Sequence, residues 1–151
     1  MDKLRLVDFL ISARSKTYAG DSGKVTPSFT GSHQLEYKEK DWFYRDVYNL
    51  GNRLFMGLET VYFQNKPVWS MSYYGNFQEM TEQEVDNILR KALTDKRDKA
   101  RLWNNVEQKI HNYKYICNGS GHIDELSGTE KIFKDGKNLY FFYYAGGFIG
   151  K

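Results

Sequence analysis

The stretch Phe55-Met-Gly57-Leu-Glu59-Thr-Val61-Tyr62-Phe63-Gln64-Asn65-Lys66-Pro67-Val68-Trp69-Ser70-Met71-Ser72-Tyr73-Tyr74-Gly75 decides the fold, because a variant of it recurs 71 residues later. There it reads Leu126-Ser-Gly128-Thr-Glu130-Lys-Ile132-Phe133-Lys134-Asp135-Gly136-Lys137-Asn138-Leu139-Tyr140-Phe141-Phe142-Tyr143-Tyr144-Ala145-Gly146. The correspondence extends without a gap from Leu35 to Phe77. It sets Glu36 on Glu107, Trp42 on Tyr113, Tyr44 on Tyr115, Glu59 on Glu130, Trp69 on Tyr140 and Phe77 on Phe148, with nine identities. A self-match of this length implies one supersecondary unit used twice.

Each copy has a helix ahead of its strands. Thr81 and Glu84 form an S/T-x-x-E capping box, and Val85, Ile88, Leu89 and Ala92 recur at helical spacing. Leu4, Val7, Leu10 and Ile11, widened by Leu6 and Phe9, make the first helix. The Gly-, Ser- and Thr-rich segment from Gly20 to Ser32 reads as a surface loop, and the charged run from Asp95 to Arg101 as a solvated last turn. Asp135-Gly136 signals a two-residue hairpin turn, with Gln64-Asn65 at the matching position. The strands expected are 35–48, 55–63 and 67–75, and 106–117, 127–134 and 137–145. The expected fold is therefore α+β in a single domain, 1–151. Duplicated helix-plus-three-strand units, 2–77 and 81–148, form a mainly antiparallel sheet with two helices packed on one side.

Alternation along the hairpins assigns the faces. It puts Glu59, Val61, Val68 and Ser70 together, with Leu58, Tyr62, Trp69, Met71 and Tyr73 opposite. Likewise Glu130, Ile132, Leu139 and Phe141 share a face, opposite Phe133, Tyr140, Phe142 and Tyr144. Both faces are then substantially apolar, with only two helices to cover them. With 17% aromatic residues, the sheet either closes around its own aromatic core or leaves a patch of the kind that marks a ligand or partner site. Glu59 and Glu130 have two readings. Turned inward, each needs a donor such as a Tyr hydroxyl, a Trp indole N–H or Arg45, and acids among rings suit a cationic or amine-bearing ligand. Turned outward, they lie in water opposite lysines.

The net charge of +3, from 22 basic and 19 acidic residues, is too even for a nucleic-acid surface. A single cysteine, Cys117, excludes an internal disulfide and fits the cytoplasm. No stretch is apolar enough for a membrane span, and Arg5 and Asp8 interrupt the run a signal peptide needs. Phosphate-binding, dinucleotide, nucleophile-elbow and zinc-helix motifs are all absent, and His33, His111 and His122 show no ligand spacing. No cofactor, metal or catalytic residue is therefore expected.

The pieces Thr17-Tyr18-Ala19, Tyr44-Arg-Asp46-Val-Tyr48, Phe55-Met-Gly57-Leu-Glu59-Thr-Val61, Pro67-Val-Trp69-Ser-Met71-Ser-Tyr73-Tyr74-Gly75 and Tyr144-Ala-Gly146-Gly147 resemble a bacterial family of unknown function, the DUF5680 type. Some relatives join such a domain to an N-terminal helix-turn-helix, which implies a sensory or oligomerisation role. The duplicated layout is also similar in outline to GyrI-like effector domains, which begin with a strand where this chain begins with a helix. The expected function is a small-molecule-binding or sensory module, with Tyr44, Asp46, Glu59, Trp69, Tyr73, Glu130, Tyr140 and Tyr144 lining a cleft between the copies for a small aromatic or cationic ligand. The alternatives are a homodimer built on the aromatic face and a small hydrolase using Glu59 or Glu130 as general base.

Overall fold

A computed structural model describes residues 1–151. Helix α1 (Lys3–Lys16) is followed by β1 (Lys24–Val25), β2 (His33–Glu39), β3 (Trp42–Gly51), β4 (Leu54–Phe63) and β5 (Lys66–Asn76). Helix α2 (Glu82–Asp95) is followed by β6 (Asn105–Ile110), β7 (Tyr113–His122), β8 (Glu125–Lys134) and β9 (Lys137–Phe148). The strands form one antiparallel sheet in the order β1-β2-β3-β4-β5-β9-β8-β7-β6.

This corrects the expected α+β fold of helix-plus-three-strand units: the chain is 52% strand and 19% helix, and its sheet has nine strands. The difference arises at two turns that carry no glycine or proline. The segments 35–48 and 106–117 each read as one long strand. Each instead folds back on itself, at Lys40-Asp41 and His111-Asn112, with Lys40 at φ 55° and His111 at φ 54°. Nothing in those residue types advertises the left-handed backbone that a two-residue hairpin uses. Asn52-Arg53, Gln64-Asn65 and Asp135-Gly136 also make two-residue turns, but with both residues at positive φ.

A second correction concerns the faces. A register shift after Val61 inserts Val68 as an extra residue in β5, and one after Ile132 inserts Leu139 in β9. One inserted residue reverses every later side chain. Trp69, Met71 and Tyr73 therefore join Glu59 and Val61 on the inner face, and Tyr140, Phe142 and Tyr144 join Glu130 and Ile132. The large aromatics are gathered on one face instead of being divided between two.

Both helices lie against that inner face. Asp2 caps α1 by accepting from the Leu4 and Arg5 amides, and the Thr81–Glu84 capping box starts α2. Leu6, Phe9, Leu10 and Ala13 of α1 and Val85, Ile88, Leu89, Ala92 and Leu93 of α2 enter one core cluster with Trp69, Met71, Tyr140 and Phe142. The α1 stripe is rotated from the expected one, leaving Leu4 78% exposed. No helix is long and apolar enough to cross a membrane.

Candidate functional site

Between the helices and the inner face lies a layer of buried charge. Glu59 on β4 accepts from Arg14 Nε at 2.9 Å, Arg14 Nη2 at 2.7 Å and the Tyr44 hydroxyl at 2.6 Å. Glu130 on β8 accepts from Arg101 Nε at 3.1 Å, Arg101 Nη2 at 3.0 Å, the Tyr140 hydroxyl at 3.1 Å and the Tyr115 hydroxyl. Burial pushes the Glu59 carboxyl up, but the Arg14 charge and its hydrogen bonds outweigh burial and leave it below its ordinary range. Both acids thus turn inward, and Arg45 serves neither: its guanidinium donates to the Tyr62 hydroxyl at 2.7 Å.

A third buried carboxyl has no such partner. Asp46 on β3 stands opposite Glu59 and is 7% exposed. Its Oδ1 accepts from the Tyr73 hydroxyl at 2.6 Å, and no protein donor reaches Oδ2. Burial and the neighbouring Glu59 charge raise its pKa to about 7, against the opposing pull of Tyr73, Arg101 and Arg14.

Asp46 and Tyr73 lie at the wall of a cavity of about 200 Å³. Tyr48, Leu50, Phe55 and Phe77 come from the sheet side, and Val85 and Leu89 from α2. The rim carries charge. Tyr18 donates to Asp86 at 2.6 Å, Arg90 Nε donates to the Tyr18 carbonyl at 3.1 Å, and His33 stacks on Tyr48 at 5.0 Å between centroids. The Tyr73 ring reaches Asp46 by crossing Gly57, where an added Cβ would come within 2.6 Å of the Tyr73 hydroxyl and 2.5 Å of the Val47 carbonyl. Gly57→Ala is expected to displace Tyr73 and destabilise the fold by about 1–3 kcal/mol, measured by urea unfolding.

The position 71 residues further along makes an informative contrast. Cys117 stands where Asp46 would be and Tyr144 where Tyr73 would be, and the Tyr144 hydroxyl lies 3.4 Å from Cys117 Sγ while donating to the Leu102 carbonyl at 2.7 Å. Tyr48 and Leu50 give way there to Gly119 and Gly121. The backbone of Leu102 and Trp103 packs so closely on Gly119 that a Cβ would meet the Leu102 carbonyl at 2.2 Å. The chain fills its own space there, and the acid is replaced by a thiol. The cavity of about 330 Å³ in this half lies elsewhere, by Tyr113 and Phe133, and neither Cys117 nor Tyr144 lines it.

The residues expected to line one cleft are therefore divided. Asp46 and Tyr73 reach the cavity of about 200 Å³. Tyr44, Asp46 and Glu59 border an adjoining void of about 20 Å³. Trp69, Glu130, Tyr140 and Tyr144 touch neither and pack in the interior. Arg14 and Arg101 escaped the sequence reading. Arg14 had a signal, since Leu6, Leu10 and Arg14 fall four apart on the helix side that Glu59 meets. Arg101 had none: it closes a charged run yet turns inward, its guanidinium 4.2 Å over the Phe142 ring. No group of three His, Cys, Asp or Glu side chains is placed to hold a metal.

Residues 46–149 match the family model described as a domain of unknown function, DUF5680. The chain belongs to the DUF5680 family. The matched stretch begins at Asp46 and takes in Tyr48, Phe55, Tyr73, α2 and Arg101, whereas Arg14, Tyr18, Lys24 and His33 precede it. No curated protein and no solved structure matches the chain.

Proposed function

We propose that this DUF5680 domain is a small-molecule-binding module whose site is the Asp46 cavity. The observation that carries the reading is a buried carboxyl with one unpartnered oxygen at the wall of an aromatic-lined cavity. Ligand sites combine apolar walls with convergent polar groups and a perturbed ionisable residue, and here eight of the fifteen lining residues are hydrophobic. At about 200 Å³ the cavity suits a molecule of fragment size. A panel of small amines, alcohols and carboxylates, followed by amide chemical shifts, tests the reading. Shifts should cluster at 46–50, 73–77 and 85–90, and a panel that moves none of these amides overturns it. The matching register of Asp46 and Tyr73 with Cys117 and Tyr144 also supports regarding 2–77 and 81–148 as related halves that differ at this site.

A second reading concerns the other face of the sheet, which no helix covers. Met56, Leu58, Phe141 and Tyr143 point outward there, with Leu58 47% and Tyr143 50% exposed. Such a face fits self-association. Sedimentation of the wild type and a Leu58→Lys/Tyr143→Lys variant tests this, and a wild type that stays monomeric at high concentration excludes it.

A further inference from the structure

Resting on the reading of the cavity as a binding site, we infer that its ligand is a small protonated amine carried on an aromatic or compact apolar body. The charge count points there. The buried layer holds three carboxyls, Asp46, Glu59 and Glu130, and two guanidiniums, Arg14 and Arg101. Each guanidinium is committed to one glutamate through two N–H groups. Asp46 is the acid left over, and a buried carboxylate without a counter-charge is relieved only by a proton or a cation. An ammonium supplies the charge together with N–H donors, one of which Oδ2 can accept. The rings of Tyr48, Phe55 and Tyr73 around it suit both the cation and an apolar body attached to it.

The remaining charges do not favour an anion. Around Asp46 stand Tyr44 and Tyr48 on its own strand, Glu59 on β4, Tyr73 on β5, Arg14 on α1, Tyr18 beyond α1 and Arg101 beyond α2. Farther out are Lys24, His33, Glu82, Asp86 and Arg90. Arg90 is held by the Tyr18 carbonyl, by Asp21 at 3.3 Å and by Asp86 at 3.7 Å, and Lys24 lies 3.7 Å from Asp21. An anion would enter beside Asp46, where the nearest cation, Arg101, already has its Nε and Nη2 on Glu130, and a neutral ligand would leave Asp46 as it is.

Because proton and ammonium compete for the same carboxyl, and burial sets that carboxyl at about 7, amine affinity should be about tenfold weaker at pH 6 than at pH 8. The test titrates phenethylamine, 2-phenylethanol and phenylacetate, which share a ring and differ in charge, into the wild type and Asp46→Asn. The amide shifts at 46–50, 73–77 and 85–90 locate the binding. The amine should bind the wild type at least tenfold more tightly than the alcohol, weaken at least tenfold in Asp46→Asn, and show the pH effect; phenylacetate should not bind. If the alcohol or the acid moves the cavity amides at concentrations equal to the amine, or if amine affinity ignores both pH and Asp46, the amine assignment falls while the binding site stands. If none of the wider panel of amines, alcohols and carboxylates moves those amides, both fall. The wild-type pH series decides the matter even if Asp46→Asn folds poorly.

Discussion

Asp46→Asn is expected to raise the melting temperature of the free protein at pH 8 by on the order of 10 °C and to change it little at pH 4. In an unfolded chain this carboxyl titrates at its ordinary value of 3.8; in the folded protein burial and Glu59 raise it to about 7. The folded-state value is the higher one, so the stability contributed by protonated Asp46 is fully present below 3.8, declines as pH rises from there, and is lost once pH passes about 7. Three units correspond to at most about 4 kcal/mol, reached above neutral pH. Asparagine carries no charge to desolvate, and its carbonyl still accepts from the Tyr73 hydroxyl, so the variant escapes the loss while keeping the contact. Glu59 works in the opposite sense. Its folded-state value is depressed, so its contribution is present above the ordinary carboxylate range and is lost as pH falls through that lower value. Wild-type stability should therefore peak on the acid side of neutrality, and Asp46→Asn should remove the decline from that peak up to about pH 7. Thermal melts by circular dichroism from pH 4 to 9 read this directly. A variant that melts below the wild type at pH 8 would show that Asp46 is ionised and well paired in the folded state. The same substitution should abolish the selective amine binding inferred above, so the residue that limits stability is the one the site requires.

The elements legible in the sequence were those with a local chemical signature. Thr81 and Glu84 announced the start of α2, and Asp135-Gly136 announced a hairpin, because capping and left-handed turns are met by particular side chains within a few residues. The turns at Lys40 and His111 place one residue in the left-handed region with no glycine to mark it, so two hairpins read as two long strands. Val68 and Leu139 were harder still. A bulge has no composition of its own in these strands, yet each reverses the face of everything after it, and two such residues decided whether the aromatics formed one core or two surfaces. At the site, Asp46, Glu59 and Tyr73 were legible as polar groups among rings. Their roles were not, because those depend on where the cations lie. Arg14 is 45 residues from Glu59 and Arg101 is 29 residues from Glu130. Only the folded chain shows that the glutamates are neutralised and the aspartate is not.

The complementary experiment removes one partner from the ion pair whose carboxylate is fully buried. Glu130→Ala is expected to destabilise the protein by about 3–5 kcal/mol in urea unfolding, at the top of the range for a single substitution. Glu130 is fully buried and receives the Arg101 fork and two tyrosine hydroxyls, so its loss strands a guanidinium and two phenols. Arg101→Met should be nearly as costly, leaving a buried carboxylate whose only donors are Tyr115 and Tyr140. The double variant Arg101→Met/Glu130→Leu separates the worth of the pair from the penalty of breaking it. If the penalty comes from an uncompensated charge, the double variant should recover most of the loss, because neither charge then has to be taken out of water. A double variant as unstable as the sum of the singles would instead show that the fork is a net contributor. The outcome also bears on the cavity. Arg101 borders it, and its charge holds the Asp46 carboxyl down. Without that charge Asp46 should keep its proton to higher pH, so amine binding in the double variant should weaken near neutrality and recover as pH rises.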